Sequence, residues 1–451
     1  MRRLLTPFFA TALLMLGSLS LAVAQVSLDP SFFSQGRETV SFDLDTAATD
    51  RALRVFPTVG GRFLLVGQAS NGSGLYSLAL TRLFPIAVDP SFGIDGRRTY
   101  ALGLSQVADI AQDSQGRLLV AWLAVNGGNG IDVFVVRLNA DGSRDASFGT
   151  DKGVTSFGLD AIDELLSLAT GPNDEVYALV RSRPNTGSAW TTRVAALNAD
   201  GLGLRSTFVD PMPEQGSGAI AWSSGRGALL VAQTSDGGGV CGLSLSQVRS
   251  RLVSGVPTLI VTALTGMTLT GVSSSCAEAR ITAVAAIPDS EVALVAGHRE
   301  DPASPGSGRQ HGLLLRWAGV EDSNFATVAP LPPADDLRFS AVAVDTRGRI
   351  LTAGTARNST ASTQRFSLRR YLVNLGDDTG FNAGSPEITT SFVASNGLDS
   401  PLASAADLRV VGTRLLVAGS VRFAGPSDDD FAVAAFTTPD AAPIFRDGFE
   451  N

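Results

Sequence analysis

Histidine, cysteine and lysine are nearly missing from this chain of 451 residues, which holds two His, two Cys and, in Lys152, a single lysine. A Cys/His zinc site of the structural kind is therefore excluded. A Ser-His-Asp or Cys-His arrangement would need His298 or His311 beside a nucleophile, and neither has one in sequence. Both histidines are expected at the surface. Positive charge is also scarce: with residues 1–24 set aside, 33 basic side chains stand against 43 acidic ones, a formal charge of 33 − 43 = −10. That balance excludes a nucleic-acid partner. Beyond the N-terminal segment no run is long and apolar enough to span a bilayer as a helix.

That N-terminal segment starts with Arg2 and Arg3, continues through a mostly apolar stretch from Leu4 to Leu21 and reaches Ala22-Val23-Ala24 before Gln25. It reads as a signal peptide, residues 1–24, and the remainder is expected in the periplasm or outside the cell. In such an oxidising compartment Cys241 and Cys276 are most simply a disulfide, with two free buried thiols as the competing reading. Aromatic residues are few, at 7%, while 48 Gly and 21 Pro indicate many turns between short strands.

What the chain has in abundance is repetition. A turn followed by a buried-looking strand recurs seven times, as in Gly61-Arg62-Phe63-Leu64-Leu65-Val66-Gly67, Gly116-Arg117-Leu118-Leu119-Val120-Ala121 and Gly348-Arg349-Ile350-Leu351-Thr352-Ala353-Gly354. A second unit, a strand running into a turn and a Phe, places Phe32, Phe92, Phe148, Phe208, Phe325 and Phe381 at spacings of 60, 56, 60, 117 and 56 residues. The double spacing falls in the fourth repeat, about Gly216 to Cys276, which lacks the Phe turn and a clean third strand. Because Phe32 precedes the first strand unit, the seventh repeat is split across the termini. The segment from Leu28 is then expected to pair with the strand Asp430 to Phe436.

The motifs Asp89-Pro90-Ser91-Phe92-Gly93 and Asn139-Ala140-Asp141-Gly142-Ser143-Arg144-Asp145-Ala146-Ser147-Phe148-Gly149 resemble the delta-60 repeat family of exported bacterial proteins, with coverage from about Leu28 to Asp440. The resemblance implies a propeller-like fold and carries no activity. The expected architecture is all-β: a β-propeller of seven four-stranded blades, one domain over residues 25–440, its last blade closed by the N-terminal segment. A C-terminal tail, 441–451, follows.

Chemistry is thin in this pattern. Counting back along each repeat to the start of the innermost strand gives Asp50, Ser105, Asp163, Gln215, Ala279 and Leu337, so a ring of carboxylates at the channel mouth is broken. Asp50 and Asp163 are the binding candidates, against a simpler role in bonding nearby backbone amides. Asp428-Asp429-Asp430 reads as a solvated turn, with cation binding as the sharper alternative. Arg82, Arg137, Arg316 and Arg370 recur at the end of the third strand, where the simplest role is pairing with acids of the following turn. No cofactor and no metal ligand set emerges. The function expected is a non-enzymatic binding or surface-interaction module for a protein or carbohydrate partner. The alternative is a hydrolase or lyase acting on a carbohydrate through acids at the channel mouth.

Overall fold

A computed structural model describes residues 25–437, apart from 34, 46–48, 73, 105, 127–129, 237–240, 270–275, 320–322, 346, 394–398 and 424–427. The expected signal peptide (1–24) and tail (441–451) lie outside the described residues. Every regular element among them is a β-strand, and none of them is a helix long and apolar enough to cross a membrane.

The hairpin turns explain the recurrent Asp-x-x-Gly-Arg. Asp113 Oδ1 accepts the main-chain N–H groups of Gln115 at 3.0 Å and Arg117 at 2.9 Å, and its Oδ2 accepts Arg117 Nε at 2.6 Å. Asp345 repeats this with Arg347 and Arg349. Gly116 and Gly348 both stand at φ 76°, where a side chain would be strained. The Asp-x-Ser-Phe turn is a second fixed device. Asp89 and Asp145 each accept the N–H and hydroxyl of the serine two residues on, while Arg82 and Arg137 approach the other carboxylate oxygen at 2.8 Å. Those guanidiniums also lie over the rings of Phe92 and Phe148. Phe32, Phe92, Phe148 and Phe381 are buried; Phe208 and Phe325 stand on outer strands and are exposed.

A bulge recurs in the first strand of the repeat, where the register shifts between Ala52 and Arg54, Val107 and Asp109, Leu165 and Ser167, Ile281 and Ala283, Phe339 and Ala341, and Ala405 and Asp407. Opposite four of these bulges sit Gly67, Gly297, Gly354 and Gly419, where an added Cβ would come within 2.0 Å of a backbone carbonyl oxygen. The recurrent Val-Gly and Ala-Gly are therefore the partners of a bulge.

The strand pairing corrects the expected seven-bladed β-propeller. The strands form five separate sheets, of nine, eight, four, four and four strands, and none closes on itself. The physical reason is that parallel pairs, Ile162 with Ile131 and Gln364 with Leu402, join repeats that the sequence treats as separate blades. The chain ends are paired: Ser27–Leu28 and Arg37–Val40 both run antiparallel to Asp429–Thr437. Buried side chains form clusters that each straddle neighbouring repeats, one of them uniting Val55, Phe63 and Leu65 with Leu416, Phe431 and Val433. The first strands of the repeats pack side by side along the chain, and Leu402–Val411 lies against both Asp336–Val344 and Asp50–Thr58.

The fourth repeat also departs from expectation. Its third strand, Cys241–Val253, is present and pairs with Val256–Thr268, each of 13 residues. Alternation of Leu with Ser and Gly, both faces buried over its first half, hid it in the sequence. The Cys241–Cys276 disulfide is formed, with Cα atoms 5.3 Å apart. His298, expected at the surface, is half-buried within the strand Ala293–Glu300, and desolvation pushes its imidazole down to about 4.

Candidate functional site

Asp50 begins the strand Asp50–Thr58, and Asp430 stands near the start of Asp429–Thr437; a parallel bridge from Thr49 to Asp429 brings those two starts together. The chain leaving Arg37–Val40 then turns across both. Asp43 in that turn has φ 46°, a left-handed conformation that Asp tolerates better than most residues. The outcome is a convergence of three carboxylates: one oxygen each from Asp43, Asp50 and Asp430 lie within 4.8 Å of one another.

The three differ in access. Asp43 is exposed, Asp430 half-buried and Asp50 fully buried. Asp50 Oδ2 accepts the N–H of Phe42 at 2.5 Å and, more loosely, that of Asp43 at 3.4 Å. Asp43 Oδ2 accepts the Ser41 hydroxyl at 2.7 Å. Asp50 Oδ1 and Asp430 Oδ1 are buried without a hydrogen-bond partner among the described residues. The nearby guanidiniums of Arg51 and Arg422 are engaged by Asp429, at 3.3 and 2.6 Å. Burial, with the charges of Asp428, Asp43 and Asp50, pushes the Asp430 carboxyl up to about 7. Asp50 is pushed up to about 6, by burial first and then by Asp43 and Asp428, against the opposing N–H groups of Phe42 and Asp43. Such a cluster holds a proton near neutral pH, as carboxylates do when they share a desolvated site.

Asp163, the other sequence candidate, is buried at a comparable place in the strand Ile162–Thr170, more than one repeat away. It accepts the N–H of Leu159 at 2.8 Å, and burial raises its carboxyl to about 6. The structure does not bring it together with Asp50. Neither residue lines the cavity bordered by the first strands of the repeats, whose acids are Asp109, Asp113, Asp289 and Asp407. Asp428-Asp429-Asp430 is not a solvated turn: Asp429 is buried between two arginines and Asp430 belongs to the cluster. Sequence reasoning missed Asp43 and Asp430 as partners of Asp50, because their meeting depends on pairing between strands nearly 400 residues apart. The signal available was the split seventh repeat, which brings the two chain ends into one sheet.

This geometry corrects the expectation of a non-enzymatic module. That expectation rested on the lack of any chemical constellation, and three convergent carboxyls, two of them displaced toward the protonated form, are one.

No protein-family model matches the chain, and neither does any curated protein sequence. Among solved structures, polysaccharide lyase Uly1 is similar over 86% of this chain and 90% of its own, at 10% identity and a TM-score of 0.47. Prolyl oligopeptidase B from Galerina marginata, without ligand, is similar over 89% of this chain and 54% of its own, at 12% identity and 0.45. The GH93 α-L-arabinofuranosidase of Fusarium graminearum with arabinobiose gives 74% and 94%, at 13% identity and 0.40. The chain spans about half the length of the prolyl oligopeptidase structures it matches. All three TM-scores fall below 0.5, so the activities of those proteins stay their own.

Proposed function

We propose that the protein is a hydrolase or lyase acting on a carbohydrate, with the Asp43, Asp50 and Asp430 cluster as its catalytic centre. The observation that carries this reading is the convergence of the three carboxyls without a paired cation among the described residues. Asp430, half-buried and held up to about 7, is the proton donor to the leaving glycosidic oxygen. Asp43, exposed and oriented by Ser41, supplies the carboxylate that attacks the sugar carbon in a hydrolase or removes its proton in a lyase. Asp50 is a positioning residue: it fixes the turn that carries Asp43, and its charge helps raise Asp430.

A span of up to 4.8 Å is short of the roughly 6.5–9.5 Å that inverting glycosidases keep for a water between their carboxyls, and close to the roughly 5–5.5 Å of retaining ones. Direct attack by Asp43 is the favoured hydrolytic route. The test is turnover of polysaccharides by pure protein, read both as new reducing ends and as ultraviolet absorbance of unsaturated products, which separates hydrolase from lyase. Asp430→Asn is expected to lower kcat by about 100-fold or more, and the wild-type rate is expected to decline as pH rises through about 7, where the donor loses its proton. Turnover that survives both Asp430→Asn and Asp43→Asn would remove the proposal.

A further inference from the structure

The first strands of the seven repeats line a cavity of about 850 Å³, within the roughly 300–1,000 Å³ of ligand pockets. Its walls are unlike. The part contributed by Gly218–Ser223, Ala279–Ala286 and Asp336–Val344 is dominated by small uncharged side chains, among them Ala221, Ala285 and Ala343. The part contributed by Leu402–Val411, Asp50–Thr58 and Val107–Gln112 carries two arginines and two aspartates.

Those four charges do not face the cavity equally. Asp109 accepts the main-chain N–H groups of Ile110 and Leu168, both at 2.8 Å, and Asp407 accepts that of Val55 at 3.0 Å. Their carboxylates are thereby committed to joining one repeat to the next, and only 6% and 10% of these side chains is exposed. Arg54 and Arg409 reach further out, at 28% and 32%. Arg54 is closed off by Asp109 and by the Leu53 carbonyl at 2.9 Å. In Arg409 only Nε is engaged, by Asp407 at 3.2 Å, while the guanidinium lies 5.2 Å from the centre of the Phe56 ring. Its two terminal nitrogens make no hydrogen bond among the described residues. A planar pair of donors is thus presented inside a cavity that offers no other unengaged charge on that wall, the geometry suited to a carboxylate.

We propose that this cavity is a binding site for a sugar acid, its carboxylate held by the terminal nitrogens of Arg409 and its ring lying between Phe56 and the alanine wall. Gln112, Thr170, Ser224 and Ser340 are among the residues lining the same cavity. The Thr170 hydroxyl donates to the Gln112 carbonyl at 2.8 Å and the Gln112 amide to that of Gly116 at 3.3 Å, which leaves their oxygens as acceptors suited to a hydroxylated body rather than an aliphatic one. The site is separate from the acid cluster, none of whose members lines it.

The test is calorimetric titration of the full chain with glucuronate, glucose and hexanoate. Glucuronate is expected to bind, with glucose and hexanoate each at least 10-fold weaker. Arg409→Gln is expected to weaken glucuronate by at least 10-fold. Asp407 keeps its bond to Val55 in that variant, so the fold should persist, as its melting transition would report. Ala285→Trp, which fills the cavity without touching the arginines, is expected to abolish binding, and Asp430→Asn to leave it unchanged. Equal binding by wild type and Arg409→Gln would overturn the proposal, as would hexanoate matching glucuronate or no glucuronate binding at millimolar concentration.

Discussion

At the start of Asp50–Thr58 and of Ile162–Thr170 a buried aspartate accepts a main-chain N–H from the loop before it, Asp50 from Phe42 and Asp163 from Leu159. Each is faced by an acid on the third strand of the preceding repeat, Asp430 in one case and Asp132 in the other. Burial leads in raising both buried carboxyls to about 6. The surroundings then diverge. Asp132 Oδ2 accepts the Asn126 amide at 2.6 Å, and the neighbouring Asp160 has Arg193 at 3.8 Å. Around Asp430 stand Asp428, Asp43 and Asp50, and none of Asp43, Asp50 and Asp430 forms an ion pair among the described residues. The shared part is a way of anchoring a loop. The difference is that further carboxylates are added to that anchor around Asp430 without counter-charge.

Removing the anchor should have the largest effect, and the same one at both places. Asp50→Ala and Asp163→Ala are each expected to destabilise by about 2 kcal/mol at pH 5, since the N–H of Phe42 or of Leu159 is left without its acceptor. Urea unfolding at pH 5 measures this. A negligible cost at either position would break the structural equivalence.

Removing the facing acid should separate the two junctions. A carboxyl raised to about 7 in the folded state, against 3.8 ordinarily, binds its proton more tightly folded than unfolded. Its stabilising contribution is therefore present at low pH and declines as pH rises from about 4 to about 7. Asp430→Asn removes that decline, so the variant should exceed wild type by about 1–2 kcal/mol at pH 8 and approach it at pH 4. Asp132→Asn loses an acceptor already matched to Asn126 and should change stability by less than about 0.5 kcal/mol at either pH. His298, lowered from 6.5 to about 4, gives the opposite slope, stability rising with pH across that window. It is common to all variants and drops out of the differences. Equal pH profiles for the two asparagine variants would show that the junctions do not differ in charge.

How much of this was legible in the sequence follows from what each feature depends on. The Asp-x-x-Gly-Arg and Asp-x-Ser-Phe turns are local, complete within a few residues, and they recur, so their strands and the pairing of Arg82 with Asp89 and Arg137 with Asp145 could be read directly. The pairing of the chain ends was legible from the position of Phe32. The grouping into five sheets was not, since it turns on parallel pairs such as Ile162 with Ile131 that no motif marks. Asp50 was found by its register in the repeat, but its partners were not: Asp43 lies in a turn without a repeat counterpart of the same sequence, and Asp430 looked like part of an acidic run. Phe208 and Phe325 keep the spacing but are exposed, so a period in sequence does not by itself mark a buried position.

The smallest effect comes from making the quieter junction resemble the other. Asn126 is exposed at the end of Leu118–Asn126, and its amide is the donor to Asp132. Asn126→Asp replaces that donor with a further carboxylate beside Asp132 and Asp163. Solvent screening at an exposed position limits the cost to a few tenths of a kcal/mol at pH 8. Chemical-shift titration of the Asp163 side chain gives the more sensitive measurement, with its midpoint expected to move upward from about 6 because a further negative charge disfavours ionisation. An unmoved midpoint would mean that a charge added at position 126 does not reach Asp163, and that added acids are not what distinguishes the two places.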